Sequence, residues 1–142
     1  MKKILILIAL FKMSFNCFGQ NVSKEYAQYI QQADSLFYSK NYGAAALQYT
    51  LAFKANNDQA KVKHRYFAAS CWALTKNIDS AFYQLNRIVT KGKYSGYYQI
   101  TGDDNFKSLH ADKRWQLLLQ GIANNIADER SKIKNEIQVE QN

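Results

Sequence analysis

Lys40-Asn41-Tyr42-Gly43-Ala44-Ala45 and Lys76-Asn77-Ile78-Asp79-Ser80-Ala81 decide the fold, because the same Lys-Asn break recurs and the alanines closing the two stretches lie 36 residues apart. Upstream of the first break, Ser23 is a helix N-cap with Glu25 in the first turn. Tyr26, Tyr29, Ile30, Ala33, Leu36 and Phe37 then recur every three or four residues. That period places them on one face of a helix ending near Ser39. Downstream, a second helix is expected from about Tyr42 to Ala55. Asn56-Asn57-Asp58 breaks the pattern, with Asp58 as the expected cap of a third helix from roughly Gln59 to Thr75. Val62, Tyr66, Ala69 and Trp72 or Ala73 make its apolar face. After the second Lys-Asn break, Asp79 opens a fourth helix through Ala81, Phe82, Leu85, Ile88 and Val89. Gly92 is expected to end it with a left-handed backbone. The 142 residues contain no proline, which costs roughly 3 kcal/mol inside a helix. Length and composition (47% hydrophobic, 14% aromatic) suit one folded domain.

Two helical pairs related by 36 residues resemble the tetratricopeptide repeat (TPR) family, whose units recur about every 34 residues. Aligned on the turn, Ala33, Ala45, Tyr49 and Ala52 fall at that family's small, small, aromatic and small positions. Ala69, Ala81, Leu85 and Ile88 fall there in the second unit, with Ile88 where alanine is usual. Beyond Gly92, Tyr97-Tyr98, Ile100, Asp104, Phe106, Leu109, Asp112 and Trp115 are similar to the TPR end-of-group unit, a pattern D-x-F-x-x-L-x-x-D-x-x-W. The resemblance spans roughly Tyr26 to Leu119 and is of the secreted bacterial type. It implies an all-α fold: antiparallel helical hairpins stacked as a short right-handed solenoid with a capping terminal helix. Asp104 and Asp112 are expected as helix caps, and Phe106, Leu109 and Trp115 as core. The short helix Asp104–Leu109 and the last helix, from near Asp112 through Leu118, Leu119, Ile122 and Ile126, would supply a third hairpin. About three repeats are normally needed to share a core. Without that hairpin the chain would have to self-associate.

The first residues read differently. Lys2 and Lys3 precede the apolar run Ile4–Phe11, Lys12 interrupts it, and Cys17-Phe18-Gly19 places small residues before Gln20. This is the pattern of a secretory signal peptide, residues 1–19, with cleavage after Gly19. The apolar run is far shorter than the about 17–25 residues a membrane-spanning helix needs. Lipid anchoring at Cys17 is the lesser alternative, because Ser14-Phe15-Asn16 lacks a lipobox leucine and small residue. The mature chain is then a helical domain, 20–127, with a charged extension, 128–142. Removal of Lys2, Lys3 and Lys12 takes the formal charge from +8 to +5. The remaining lysines are scattered, which does not point to nucleic acid. Secretion to the periplasm or outside makes acidic proteins, the cell wall and anionic membrane surfaces the available partners. Cys71 is left as a lone thiol in an apolar run, so no disulfide framework is expected. In the extension, Ile126, Ile133 and Ile137 are spaced by seven and four, which reads as a solvated helix or a partner seam.

Motifs for catalysis are missing from the sequence: no G-x-S-x-G, phosphate loop, H-E-x-x-H or C-x-x-C. His64 and His110 stand apart, as a surface helix position and a turn residue. Asp103-Asp104 reads as a turn and cap, and no metal or cofactor is implied. Lys61, Lys63, Arg65, Lys91 and Lys93 are the densest basic positions and read as a solvated face, with an anion site as the lesser alternative. The resemblance implies a non-catalytic protein–protein interaction module or scaffold, holding a peptide or protein partner in the groove formed by the first helix of each pair. By the alignment, that groove takes Ile30, Asp34, Phe37 and Tyr38 from the first unit, and Lys63, Tyr66 and Ser70 from the second. Ile30 and Asp34 replace the Lys and Asn of the family's carboxylate-clamp version, so capture of C-terminal carboxylates is not implied. The alternative is a glycan or membrane-surface binder using Tyr94, Tyr97 and Tyr98, a tyrosine loop set between Gly92, Gly96 and Gly102.

Overall fold

In the computed structural model, residues 23–140 are described. The signal-peptide reading and Cys17 therefore lie outside the described residues. Helix α1 (Lys24–Tyr38) starts where the sequence places it, with the Tyr26 N–H donating to Ser23 Oγ at 3.0 Å. Helix α2 (Tyr42–Ala55) packs along it, followed by α3 (Val62–Leu74) and α4 (Ile78–Thr90), which form a second pair. Then come α5 (Tyr97–Gly102), a 3-10 helix (Asp104–Leu109) and the long α6 (Lys113–Glu140). Every element among the described residues is helical.

Both pairs turn by the same device. Lys40 and Lys76 adopt left-handed backbone, with φ of 63° and 61°. The following asparagines donate back to carbonyls five residues earlier, Asn41 to Leu36 and Asn77 to Trp72, each at 2.8 Å. This is the hydrogen-bond pattern that satisfies the orphaned carbonyls of a helix end, here with lysine at the usual glycine position. Asn77 then caps α4, its Oδ1 accepting from the Ser80 N–H at 3.2 Å.

Three local expectations are corrected. Helix α3 begins at Val62 and not near Gln59, because Lys61 before it is extended, with φ of −65° and ψ of 146°, and Asn57 and Asp58 are left-handed, at 52° and 57°. Asp58 is consequently no cap; its carboxylate pairs with Arg65 and Arg87. At the end of α4, the left-handed residue is Lys93, with φ of 50°, and Gly92 is not left-handed. Gly92 is required for space: a Cβ there would sit 2.6 Å from Val62 Cγ2 and 2.7 Å from the Ile88 carbonyl oxygen. Finally, Asp103 caps the 3-10 helix by accepting from the Asn105 N–H at 2.9 Å, while the adjacent Asp104 pairs at the surface with Lys107. Asp112 does cap α6, accepting from the Arg114 N–H at 2.9 Å.

Two buried clusters fill the molecule. The first joins α1 and α2 to one side of α3: Tyr26, Ile30, Ala33, Ala45, Ala46, Tyr49, Ala52, Phe53, Ala68 and Cys71. The second joins the other side of α3 to α4, the 3-10 helix and α6, with Leu85, Ile88, Ile100, Phe106, Leu109, Trp115 and Ile122 at its centre. Phe67 and Trp72 pack against both. Helix α6 reaches α4 closely where Gly121 faces Val89, and Asn125 donates to the Val89 carbonyl at 2.9 Å. From residue 127 to 140 the helix continues with every side chain exposed. No helix among the described residues is long and apolar enough to cross a membrane.

Candidate functional site

The exposed sides of α1 and α3 form a shared face. Ile30 and Asp34 of α1 border an open notch of about 370 Å³, also lined by Tyr26, Gln31, Lys61 and His64. The Tyr26 hydroxyl lies 2.7 Å from His64 Nδ1 and accepts from the Lys61 N–H at 3.3 Å. His64 is thus half-buried and engaged, not a free surface residue, and burial pushes its pKa down. Asp34 accepts from the Tyr49 hydroxyl, and burial, helped by that carboxylate, drives the Tyr49 phenol well above its ordinary range. One turn further along, Phe37 stacks on Phe67 with ring centroids 4.9 Å apart. Lys63 Nζ sits 5.5 Å above the Phe67 ring, a cation–π contact at the surface. Tyr38 extends the ledge, 69% exposed and edge-on to Phe37.

Asp34, Phe37, Tyr38 and Lys63, four of the seven groove residues read from the sequence, share this face, and Ile30 borders it only from the first core cluster, 7% exposed. Tyr66 and Ser70 do not. Both turn inward with Ala69 and Ala73, because residues three and four apart share a helix side. Ser70 is fully buried, its hydroxyl donating to the Tyr66 carbonyl. Tyr66 donates to Asp103 Oδ2 at 2.8 Å and meets Phe106 edge-on at 5.2 Å. It is a pillar of the second core cluster. Phe67, four residues after Lys63, is the half-buried partner that spacing from Lys63 would have found.

The tyrosine loop resolves into two structures. Tyr97 and Tyr98 belong to α5, and Tyr94 precedes it, half-buried, with its hydroxyl donating to Gln99 at 3.0 Å. Burial pushes the Tyr94 phenol up to about 12. Tyr94 and Tyr97 pack on the second cluster, and of the three only Tyr98 is exposed, at 90%. They do not form one open platform.

A second cavity, about 470 Å³, opens beside the first where the α2–α3 loop meets the end of α4. Arg65, expected on a solvated face, is instead 4% exposed. Its Nη1 donates to Gln84 Oε1 at 2.7 Å, and its Nη2 donates to the Asp58 carboxylate and carbonyl. The guanidinium also lies over the Phe53 ring at 4.8 Å. Arg87 Nη2 pairs with the other Asp58 oxygen at 2.6 Å. These partners are seven and 29 residues apart, beyond the reach of any local sequence pattern.

Cys71 is fully buried, and burial pushes its thiol up to about 12, which makes it unreactive at neutral pH. His110 lies in the turn before α6 with its ring 4.5 Å from Trp115. No three His, Cys, Asp or Glu side chains among the described residues are grouped to hold a metal ion. Comparison of the chain with protein families, with curated proteins and with solved structures gives no match.

Proposed function

We propose that the protein is a non-catalytic interaction module of the cell envelope or extracellular space, built as a short TPR-like right-handed solenoid. Its two helical pairs share a left-handed lysine turn, and the first helix of each contributes to one open face. The observation that carries the reading is the ledge on that face. Tyr38 is exposed and rests on the half-buried Phe37–Phe67 stack, beside a notch edged by Ile30, Asp34 and His64. Aromatic side chains bury large area at low rotamer cost, and a flanking carboxylate and lysine add direction. A helical or extended segment of a protein partner fits such a surface better than a small molecule, which binds in more enclosed sites.

The test uses the exposed members. Lys63→Glu and Tyr38→Ala remove side chains that bury little, so helical content by circular dichroism should be unchanged. Each should weaken capture of an envelope partner retained by the wild-type chain. Unchanged capture by both variants would rule out this face.

A further inference from the structure

The 470 Å³ cavity beside the ledge has a charge imbalance that the fold does not need. Lys61, Arg65, Arg87 and Lys91 line it against a single carboxylate, Asp58. Asp58 is fully used. One oxygen takes Arg65 at 2.9 Å, the other takes Arg87 at 2.6 Å, and its carbonyl accepts from both guanidinia. Arg87 Nε nevertheless remains buried with no acceptor. A buried donor without a partner costs free energy, so native structures rarely leave one unless something else supplies the acceptor. The first turn of α3, at Lys61 and Val62, also lines the cavity, and Lys61 makes no side-chain cap. The Lys61 N–H is taken by the Tyr26 hydroxyl and that of His64 by the Lys61 carbonyl, so the turn adds mainly the positive end of the helix dipole at the same wall.

We propose that this cleft is a phosphate-binding site. A phosphate group offers several acceptor oxygens and about two negative charges, matching an excess of cations that one carboxylate leaves uncompensated. The exposed Lys61 and Lys91 side chains are the groups free to take those oxygens, and Arg87 Nε is a further donor without an acceptor. Asp58 is the internal competitor: it holds Nη2 of both arginines from a loop in which Asn57 and Asp58 are consecutively left-handed. Backbone held in that region persists only where surrounding contacts enforce it. The site does not include the aromatic ledge, although Tyr26 and Lys61 also line the notch beside that ledge.

Titration calorimetry of the full chain with pyrophosphate, against acetate at matched ionic strength, tests the assignment. Saturable single-site binding is expected for pyrophosphate and none for acetate. The double variant Lys61→Ala, Lys91→Ala, whose side chains are exposed, should lose about tenfold or more in affinity while keeping its helical content. Asp58→Asn should bind more tightly, since it releases arginine donors. If that variant fails to fold, the lysine pair decides alone. Vesicles containing phosphatidic acid separate the sources of the group. Co-sedimentation that pyrophosphate displaces assigns a lipid headgroup, and binding of soluble pyrophosphate without co-sedimentation assigns a soluble phosphorylated ligand. No saturable binding, or equal affinity in the lysine double variant, overturns the proposal.

Discussion

The α1–α2 pair is filled by Ala33, Ala45, Ala46 and Ala52 around Tyr49 and Phe53, whereas the α3–α4 pair meets α6 through Phe82, Leu85, Ile88, Phe106, Leu109, Trp115 and Ile122. The turns that close the two pairs are the same to within a few degrees at Lys40 and Lys76. What differs is the number of neighbours. The first pair has one partner helix beyond itself, so small residues and close approach exclude water. The second is covered by the 3-10 helix and α6, so large side chains fill a wider space. Each half also buries a tyrosine hydroxyl on an aspartate from another element, Tyr49 on Asp34 and Tyr66 on Asp103.

This contrast makes the two halves sensitive to opposite changes. The largest effect is expected for Trp115→Ala, which empties the second cluster and should cost about 3–5 kcal/mol in denaturant unfolding. In the first half the damaging change is an enlargement. Ala45→Leu, at a fully buried contact, should cost about 1–3 kcal/mol. A neutral Ala45→Leu would break the account of close helix approach.

One pH term belongs to the second half. The hydrogen bonds from Arg114 hold the Asp112 carboxyl down at about 2, below its ordinary 3.8. Its folded pKa is depressed, so the stabilisation is present above the ordinary carboxylate range and disappears as pH falls from about 4 towards 2. Asp112→Asn should flatten that part of the melting-temperature profile. The smallest effect is at the turns. Lys40→Gly and Lys76→Gly relieve left-handed lysines and should each stabilise by up to about 1 kcal/mol, with the same sign in both pairs. Opposite signs would show that the turns are not equivalent.

The helices were legible because their signal is local. Ser23, the Lys-Asn breaks and the three-to-four spacing of apolar residues act within one turn of helix. The core of the terminal unit was equally readable in Phe106, Leu109 and Trp115. The errors fall where one residue of phase or a distant partner decides. Tyr66 and Ser70 share the buried side of α3, while Lys63 and Phe67, on the next row, stay accessible. Asp58 has the composition of a cap but is claimed by arginines from α3 and α4. Gly92 has the composition of a left-handed helix end, yet Val62 and Ile88 are what demand it. Helix α5 reads as a loop in the sequence because its six residues span fewer than two helical turns, too few for an apolar period to show.

The central claim is that the α1–α3 face is where a partner binds, and site-specific photo-crosslinking tests it most directly. A crosslinking residue at Lys63, on the ledge, is compared with one at Leu47, which is 59% exposed on α2. The account predicts a discrete crosslinked partner from Lys63 in the envelope fraction and none from Leu47. Equal crosslinking from both positions, or a discrete partner from Leu47 alone, would contradict it.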